Sequence, residues 1–345
     1  MIVTLVSFLL VIGICVISHE GGHFLAAKWR NVYVHEFSFG MGFLLASKQS
    51  VETRYSIRAF PVGGYVKLEG EDEDAENIRS DIPRERALYA KKPWERLLIL
   101  AGGIFVNLVL AWLLFSGYLF ANGVFDVQSA TVGNIMLNTP AAEIQLRSGD
   151  VIKSINGIEI NAWADISKTL AVIKTDKISL VYLRGTELCK ADVFVPYNRQ
   201  QGRRLLGIQP VKIRFSVLRS MREALKYSFN MSYEIVMSIS RIILGKSKDE
   251  ISGPLGIAVM SGAAAKQGFW TFIMFLGVIN LNLGLVNLLP FPALDGGRIV
   301  FTLVEMLTGR KVSPRFEAAV HYAGFILLLL LIVYVTGLDI IRLIK

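Results

Sequence analysis

Four long apolar runs constrain this chain more than any other feature. Ile2 to Ser18 has 17 residues without a charge, Leu97 to Phe125 has 29, Gly268 to Leu294 has 27, and Ala318 to Leu338 has 21 with one histidine. A hydrocarbon layer of ~30 Å takes roughly 20 helical residues, so each run can cross it. Composition agrees: 53% of residues are hydrophobic and 19% charged, whereas soluble domains carry about a quarter charged residues. The first run lacks a basic leader and a small-residue cleavage site. It passes directly into His19, Glu20 and His23, so it reads as a retained helix. The net charge of +9 is read as topology and as attraction to anionic lipid, not as nucleic-acid binding. Cys15 and Cys189 do not make a disulfide framework.

The expected fold is an α-helical polytopic membrane protein with four transmembrane helices, a membrane-associated β-hairpin and an inserted α/β domain. Residues 1–27, 97–125, 268–295 and 318–338 form the spans. Lysines and arginines close to their ends (Lys28, Arg30, Lys91, Lys92, Arg96, Arg298, Arg310, Lys311 and Arg315) place the loops 28–96 and 296–317 inside. Both termini and residues 126–267 then fall outside, with Arg342 and Lys345 a mild contradiction. Within the outer region, 126–200 reads as a small α/β domain. Its β-type stretches Val151–Ile155, Ile178–Leu183 and Val193–Val195 alternate with turns such as Asn156-Gly157. Residues 201–267 form an amphipathic segment, within which 216–244 reads as an amphipathic helix near the membrane surface, with Leu225, Phe229, Val236, Ile239 and Ile243 at roughly helical spacing. In the inner loop, Tyr55 to Leu68 is expected to form a hairpin turning at Gly63-Gly64. The acids that follow (Glu69, Glu71, Asp72, Glu73, Asp74 and Glu76) match no EF-hand spacing and read as a solvated loop.

His19-Glu20-Gly21-Gly22-His23 is an H-E-x-x-H motif. Residues four apart share one helix face, so both imidazoles can meet one Zn²⁺, with Glu20 as general base. Ionisable groups in a membrane helix are costly and usually functional, which argues against a pair of packing histidines. Zinc needs a third protein ligand and an open position. Asp295, the lone acid at the end of the third run, is the candidate; a helix cap is its competing reading. Pro290 and Pro292 must interrupt regular hydrogen bonding beside it. In the four-span topology, His19, His23 and Asp295 lie toward the same inner side. His35 and His321 are expected to be structural, and Cys15 to pack, since a fourth protein ligand would close the catalytic position.

These motifs together resemble the site-2 protease family of intramembrane zinc metalloproteases, specifically its bacterial regulator-of-sigma-E branch with one PDZ domain. The resemblance spans nearly the whole chain. It runs through His19-Glu20-x-x-His23, Phe60-Pro-Val-Gly-Gly-Tyr-Val-Lys67 and Arg96 to Asn107. It continues with Pro140-Ala-Ala, Gly149-Asp150, Ile155-Asn156-Gly157, Ser252-Gly-Pro-Leu-Gly-Ile257 and Asn287…Pro290…Asp295-Gly-Gly. Ala101-Gly-Gly103 stands where many relatives have Ala-Gly-Pro. The resemblance implies a zinc endopeptidase of the bacterial inner membrane that cuts single-pass transmembrane proteins, with a periplasmic PDZ domain at 126–200. It implies that Asn287 and Pro290 lie near the substrate backbone, and that the hairpin, through Gly63, Gly64 and Tyr65, offers an edge to an extended substrate. Two rival functions remain: a PDZ membrane adaptor with an inert zinc site, and a zincin that clips misfolded chains at the inner face.

Overall fold

A computed structural model describes residues 1–71, 82–198, 202–245 and 252–344. Most of the acidic run, Asp72 to Glu76, lies outside the described residues.

In chain order the elements begin with α1 (Ile2–Trp29), β1 (Val34–Gln49), β2 (Arg54–Leu68) and α2 (Pro93–Asn122). There follow β3 (Val124–Phe125), β4 (Val132–Ile135), α3 (Pro140–Glu143), β5 (Val151–Ile155), β6 (Ile158–Glu159), α4 (Trp163–Val172), β7 (Lys177–Arg184) and β8 (Glu187–Phe194). Short strands β9 (Tyr197–Asn198), β10 (Arg203–Arg204), β11 (Ile208–Pro210) and β12 (Lys212–Ile213) lead to α5 (Val217–Ile243), α6 (Pro254–Gln267), α7 (Phe269–Leu288), α8 (Asp295–Thr308) and α9 (Pro314–Ile344). Among the described residues, four helices are long and apolar enough to cross a membrane: Ile2–Trp29, Pro93–Asn122, Phe269–Leu288 and Arg315–Arg342.

The chain divides into two compact units, Leu119–Leu218 and the remainder, Met1–Tyr118 with Arg219–Lys345. The inserted unit holds an antiparallel sheet of order β6-β5-β7-β8 and a second pairing of β4 with β11. Its core is aliphatic: Val132, Ile152, Ile155, Ile178, Leu180 and Val195 are buried together with Ile166 and Leu170 of α4. The unit reaches further than the expected 126–200, because Leu206 and Ile208 pack into this core. The segment 201–267 is therefore not one amphipathic stretch. Its start completes the α/β unit, its middle is α5, and its end is a separate helix, α6. Pro at the first position and the Gly253 N-cap set where α6 begins.

In the membrane unit α1 carries a stripe of buried residues at helical spacing: Ser7, Val11, Cys15, His19 and Gly22. Asp339 of α9 is buried and accepts the Gly253 and Gly256 amides at 3.2 and 2.9 Å, closing the N-terminus of α6.

Two expectations change. The hairpin turn lies between Gln49 and Arg54, not at Gly63-Gly64, which falls inside β2. Both long strands bend, β1 at Gly40 and Gly42 and β2 at Gly63, all with positive φ. As a result residues 36–39 find partners on both sides: 64–67 on one and 54–57 on the other. Within this sheet, 64–68 is left as an edge. The third span ends at Leu288, and Asp295 opens a new helix, α8, where an inner loop 296–317 was expected. The prolines explain the break, since neither Pro290 nor Pro292 can donate the amide a continuous helix needs.

Candidate metal centre

The two histidines come from successive turns of α1, and their rings meet edge to face with centroids 4.7 Å apart. His23 Nδ1 lies 2.8 Å from the Ile99 carbonyl of α2, which can only accept. Nδ1 must therefore carry the proton, and Nε2 is left as a lone pair. That lone pair faces His19 Nε2 at 3.2 Å and Asp295 Oδ2 at 3.4 Å. Asp295 Oδ2 also lies 3.0 Å from His19 Nε2, yet it is buried and has no hydrogen-bond donor aligned with it. The three ligand-type atoms all fall within 4.8 Å of one another. The His23 and Asp295 electron pairs converging in this way need a proton or a cation between them, and two imidazoles with one carboxylate are a donor set that suits Zn²⁺.

Close packing of α1 on α2 makes this geometry possible. A Cβ on Gly22 would stand 2.2 Å from the Gly102 carbonyl, and one on Gly103 would stand 2.5 Å from His23 Nε2. Glycine at both crossings lets α2 approach the two rings directly. Asp295 is delivered by the broken segment after α7. Ala293 takes a positive φ of 75° there and donates its amide to His321 Nδ1 at 3.0 Å. A Cβ on Gly296 would collide with the Leu289 carbonyl at 2.0 Å, so the tight return into α8 needs glycine. An acid in the first turn of α8 is also favoured by the helix dipole.

A cavity of about 170 Å³ opens at this point, lined by Glu20, Gly64, Tyr65, Ile99, Arg298 and the three candidate ligands, among others. Glu20 sits beside the edge segment: a Cβ on Gly64 would come within 3.2 Å of its Cγ. Asn287, in the last turn of α7, reaches His19 Nε2 with Nδ2 at 3.4 Å. The structure thus gathers His19, Glu20, His23, Asp295, Gly64, Tyr65 and Asn287. Gly63 and Pro290 are not among the residues that line the cavity. Gly63 packs on Met41 and Pro290 is exposed.

Cys15 is buried against Leu276 of α7 and stands outside the ligand group. His35 pairs with Glu69. The sequence reading gives two charged cavity residues other roles, Arg298 as a topology marker and its ion-pair partner Glu71 as part of a solvated acidic loop. The first had a signal, since it follows Asp295 by three positions and so shares its helix face.

The profile of Peptidase family M50 matches residues 7–331. A zinc-metalloprotease candidate of Clostridium acetobutylicum is 36% identical across 98% of this chain and 97% of its own length. The zinc metalloprotease RasP of Shouchella clausii is 29% identical across 99% of each chain. Among solved structures, a PDZ domain from Listeria monocytogenes resembles this protein at 22% identity and a TM-score of 0.21, covering 24% of this chain and 85% of that one.

Proposed function

This chain belongs to Peptidase family M50 and is a zinc metalloprotease, and from that premise we propose that it cuts transmembrane segments of single-pass membrane proteins, with His19, His23 and Asp295 holding the metal and Glu20 as general base. The observation that carries this reading is the convergence of three metal-ligand atoms within 4.8 Å beside a glutamate, with the two histidines on a helix long and apolar enough to cross a membrane and the aspartate seven residues beyond the end of another. Zn²⁺, when bound, supplies a Lewis acid that polarises the scissile carbonyl and acidifies water. Glu20 takes the proton of the attacking water and delivers it to the leaving amine.

A transmembrane helix hides its peptide bonds in its own hydrogen bonds, so the protease must hold an opened segment extended. The edge 64–68 runs past Glu20 and can pair with such a segment by strand addition, with Gly64 leaving room and Tyr65 flanking it. The amide of Asn287 is near enough to donate to a bared substrate carbonyl, and the irregular backbone around Pro290 keeps Asp295 and Asn287 close together. Exposed Phe43, Leu45 and Phe60 on the hairpin support its contact with lipid.

The Lys/Arg asymmetry supports an inner-membrane orientation with the metal centre toward the inner side and the PDZ-like unit in the periplasm. That unit would screen substrates by their exported part. The adaptor reading gives Glu20 no use. The zincin acting on misfolded chains gives no reason for the two histidines to lie on a helix long and apolar enough to cross a membrane.

Metal analysis of purified variants tests the assignment. His19→Ala, His23→Ala and Asp295→Ala should each lose zinc, while Glu20→Gln should keep it and lose cleavage of a tagged single-pass substrate. Full zinc occupancy in Asp295→Ala would remove that residue from the ligand set.

A further inference from the structure

Which nitrogen of His19 carries the proton is decided behind the ring, by a side chain to which no role has yet been given. Asn107 of α2 is fully buried. Its carboxamide lies between Ser18 Oγ, 2.6 Å from Oδ1, and His19 Nδ1, 3.4 Å from Nδ2. Ser18 Oγ also lies 2.9 Å from the Cys15 carbonyl and 3.2 Å from Asn280 Oδ1. Asn280 is fully buried too, and it donates Nδ2 to the Leu276 carbonyl at 2.9 Å, so its oxygen is the atom presented to Ser18.

Counting protons fixes the direction of this network. Ser18 has one hydroxyl proton and two lone pairs. Two acceptors, Cys15 O and Asn280 Oδ1, already face that proton, and an amide oxygen from Asn107 makes a third. In that arrangement Asn107 donates to His19 Nδ1, and His19 Nε2 keeps the proton that a metal must displace. The oxygen and nitrogen of a carboxamide occupy interchangeable positions, and the network around them decides the assignment. With the amide turned, every group is used: Asn107 Nδ2 donates to Ser18 Oγ, Ser18 donates onward to Asn280 or Cys15, and Asn107 Oδ1 accepts the His19 Nδ1 proton. His19 Nε2 is then a lone pair aimed at Asp295 alongside that of His23.

We propose that Asn107 is a positioning residue of the metal centre, whose carboxamide oxygen holds His19 in the Nδ1-protonated, metal-ready tautomer. The inference rests on the reading of His19 as a ligand. It gives α2 a symmetrical task. The Ile99 carbonyl orients His23, and the Asn107 side chain, about two turns further along the same helix, orients His19. At this fully buried position the polar atom facing His19 Nδ1 is the Asn107 carboxamide.

The test is zinc affinity, by chelator competition, of the purified full-length chain, with the Co²⁺ absorption spectrum as a report on ligand geometry. Asn107→Leu should weaken zinc binding by about 10- to 100-fold, the range for loss of a partner that orients a metal-binding histidine. Asn107→Asp, which keeps an acceptor oxygen in place, should bind close to wild type. Asn280→Leu removes a buried amide of the same network that does not touch His19, and it should leave affinity and spectrum unchanged. Equal losses in Asn107→Leu and Asn280→Leu would reduce Asn107 to helix packing and overturn the proposal. So would wild-type affinity in Asn107→Leu, or a loss in Asn107→Asp as large as that in Asn107→Leu. If Asn107→Leu does not fold, Asn107→Ser takes its place with the same expected loss, its hydroxyl being too short to reach the ring. His19→Ala is measured in parallel. Retained zinc there would defeat the ligand reading itself, an outcome distinct from failure of the Asn107 arm.

Discussion

The two compact units differ in what they bury beside hydrocarbon. In the inserted unit the fully buried positions are Ile152, Ile155, Ile178, Leu180 and Val195, an interior assembled by removing hydrocarbon from water. In the membrane unit the fully buried set adds Asn107, Asn280 and Ser261 to apolar residues such as Val11, Ile99 and Phe115, while Leu327, Leu330, Val333 and Tyr334 of α9 face outward. Lipid tails are as apolar as leucine, so burying leucine gains nothing there. Helices are held instead by small residues that permit close contact and by interhelical hydrogen bonds. The inside of such a unit is therefore the economical place for polar chemistry, and the metal centre is part of its packing.

The strongest challenge to this contrast comes from the centre itself. Glu20→Gln should cut turnover by roughly 10²- to 10⁴-fold, the usual contribution of a general acid–base group, with zinc and thermal stability unchanged. A coincident loss of stability would mean that Glu20 also holds the unit together. Next come matched aliphatic truncations. Ile155→Ala should destabilise the inserted unit by ~2–5 kcal/mol, whereas Leu330→Ala, 62% exposed on α9, should shift stability by less than about 0.5 kcal/mol. Denaturation of both variants in detergent decides it, and similar costs would erase the distinction between the two interiors. A methyl group added at a helix crossing should act in the reverse sense. Gly22→Ala should cost about 1–3 kcal/mol by overpacking and weaken zinc binding, while Gly117→Ala, with nothing within 4 Å of the new Cβ, should do neither.

The smallest expected effect concerns the base of the hairpin. Burial opposes ionisation of Glu52, but hydrogen bonds from Lys28 and Arg86 overcome it and hold the carboxyl at about 2. A carboxyl held below its usual range stabilises the fold above that range and stops doing so as pH falls toward 2. Hydrogen exchange at the Val34 amide, which Glu52 accepts at 3.2 Å, should therefore quicken on acidification relative to the intrinsic rate of an unprotected amide at the same pH. In Glu52→Gln it should be faster at neutral pH and less sensitive to acid.

The sequence revealed most of what is local or strongly patterned. The H-E-x-x-H spacing on one helix face, the lone acid after the third run and the four apolar lengths each depend on a few neighbouring residues. What it hid depends on pairings between distant segments. Gly63-Gly64 looked like a turn because glycine pairs usually mark turns, yet the strand continues through them and bends. Asp295 looked like the end of a span because its run is apolar throughout, but two missing proline amides divide that run and place the acid at the head of α8. Asn107 stood in plain view as an amide in an apolar helix. Its part became visible only when α1 and α7 were set beside it.

Asp339, which closes α6, also bears on the order in which the protein is made. The ribosome delivers His19, Glu20 and His23 first, on a helix against which α6 packs. The inserted unit and α7 emerge before Asp295, and the carboxylate that satisfies the Gly253 and Gly256 amides comes later still. A partly synthesised chain therefore carries the base and two of the three proposed ligands but neither the third nor the cap. On the proposed ligand set, a chain that has not yet reached Asp295 cannot hold the metal through three ligands, so hydrolytic competence waits on the synthesis of α8.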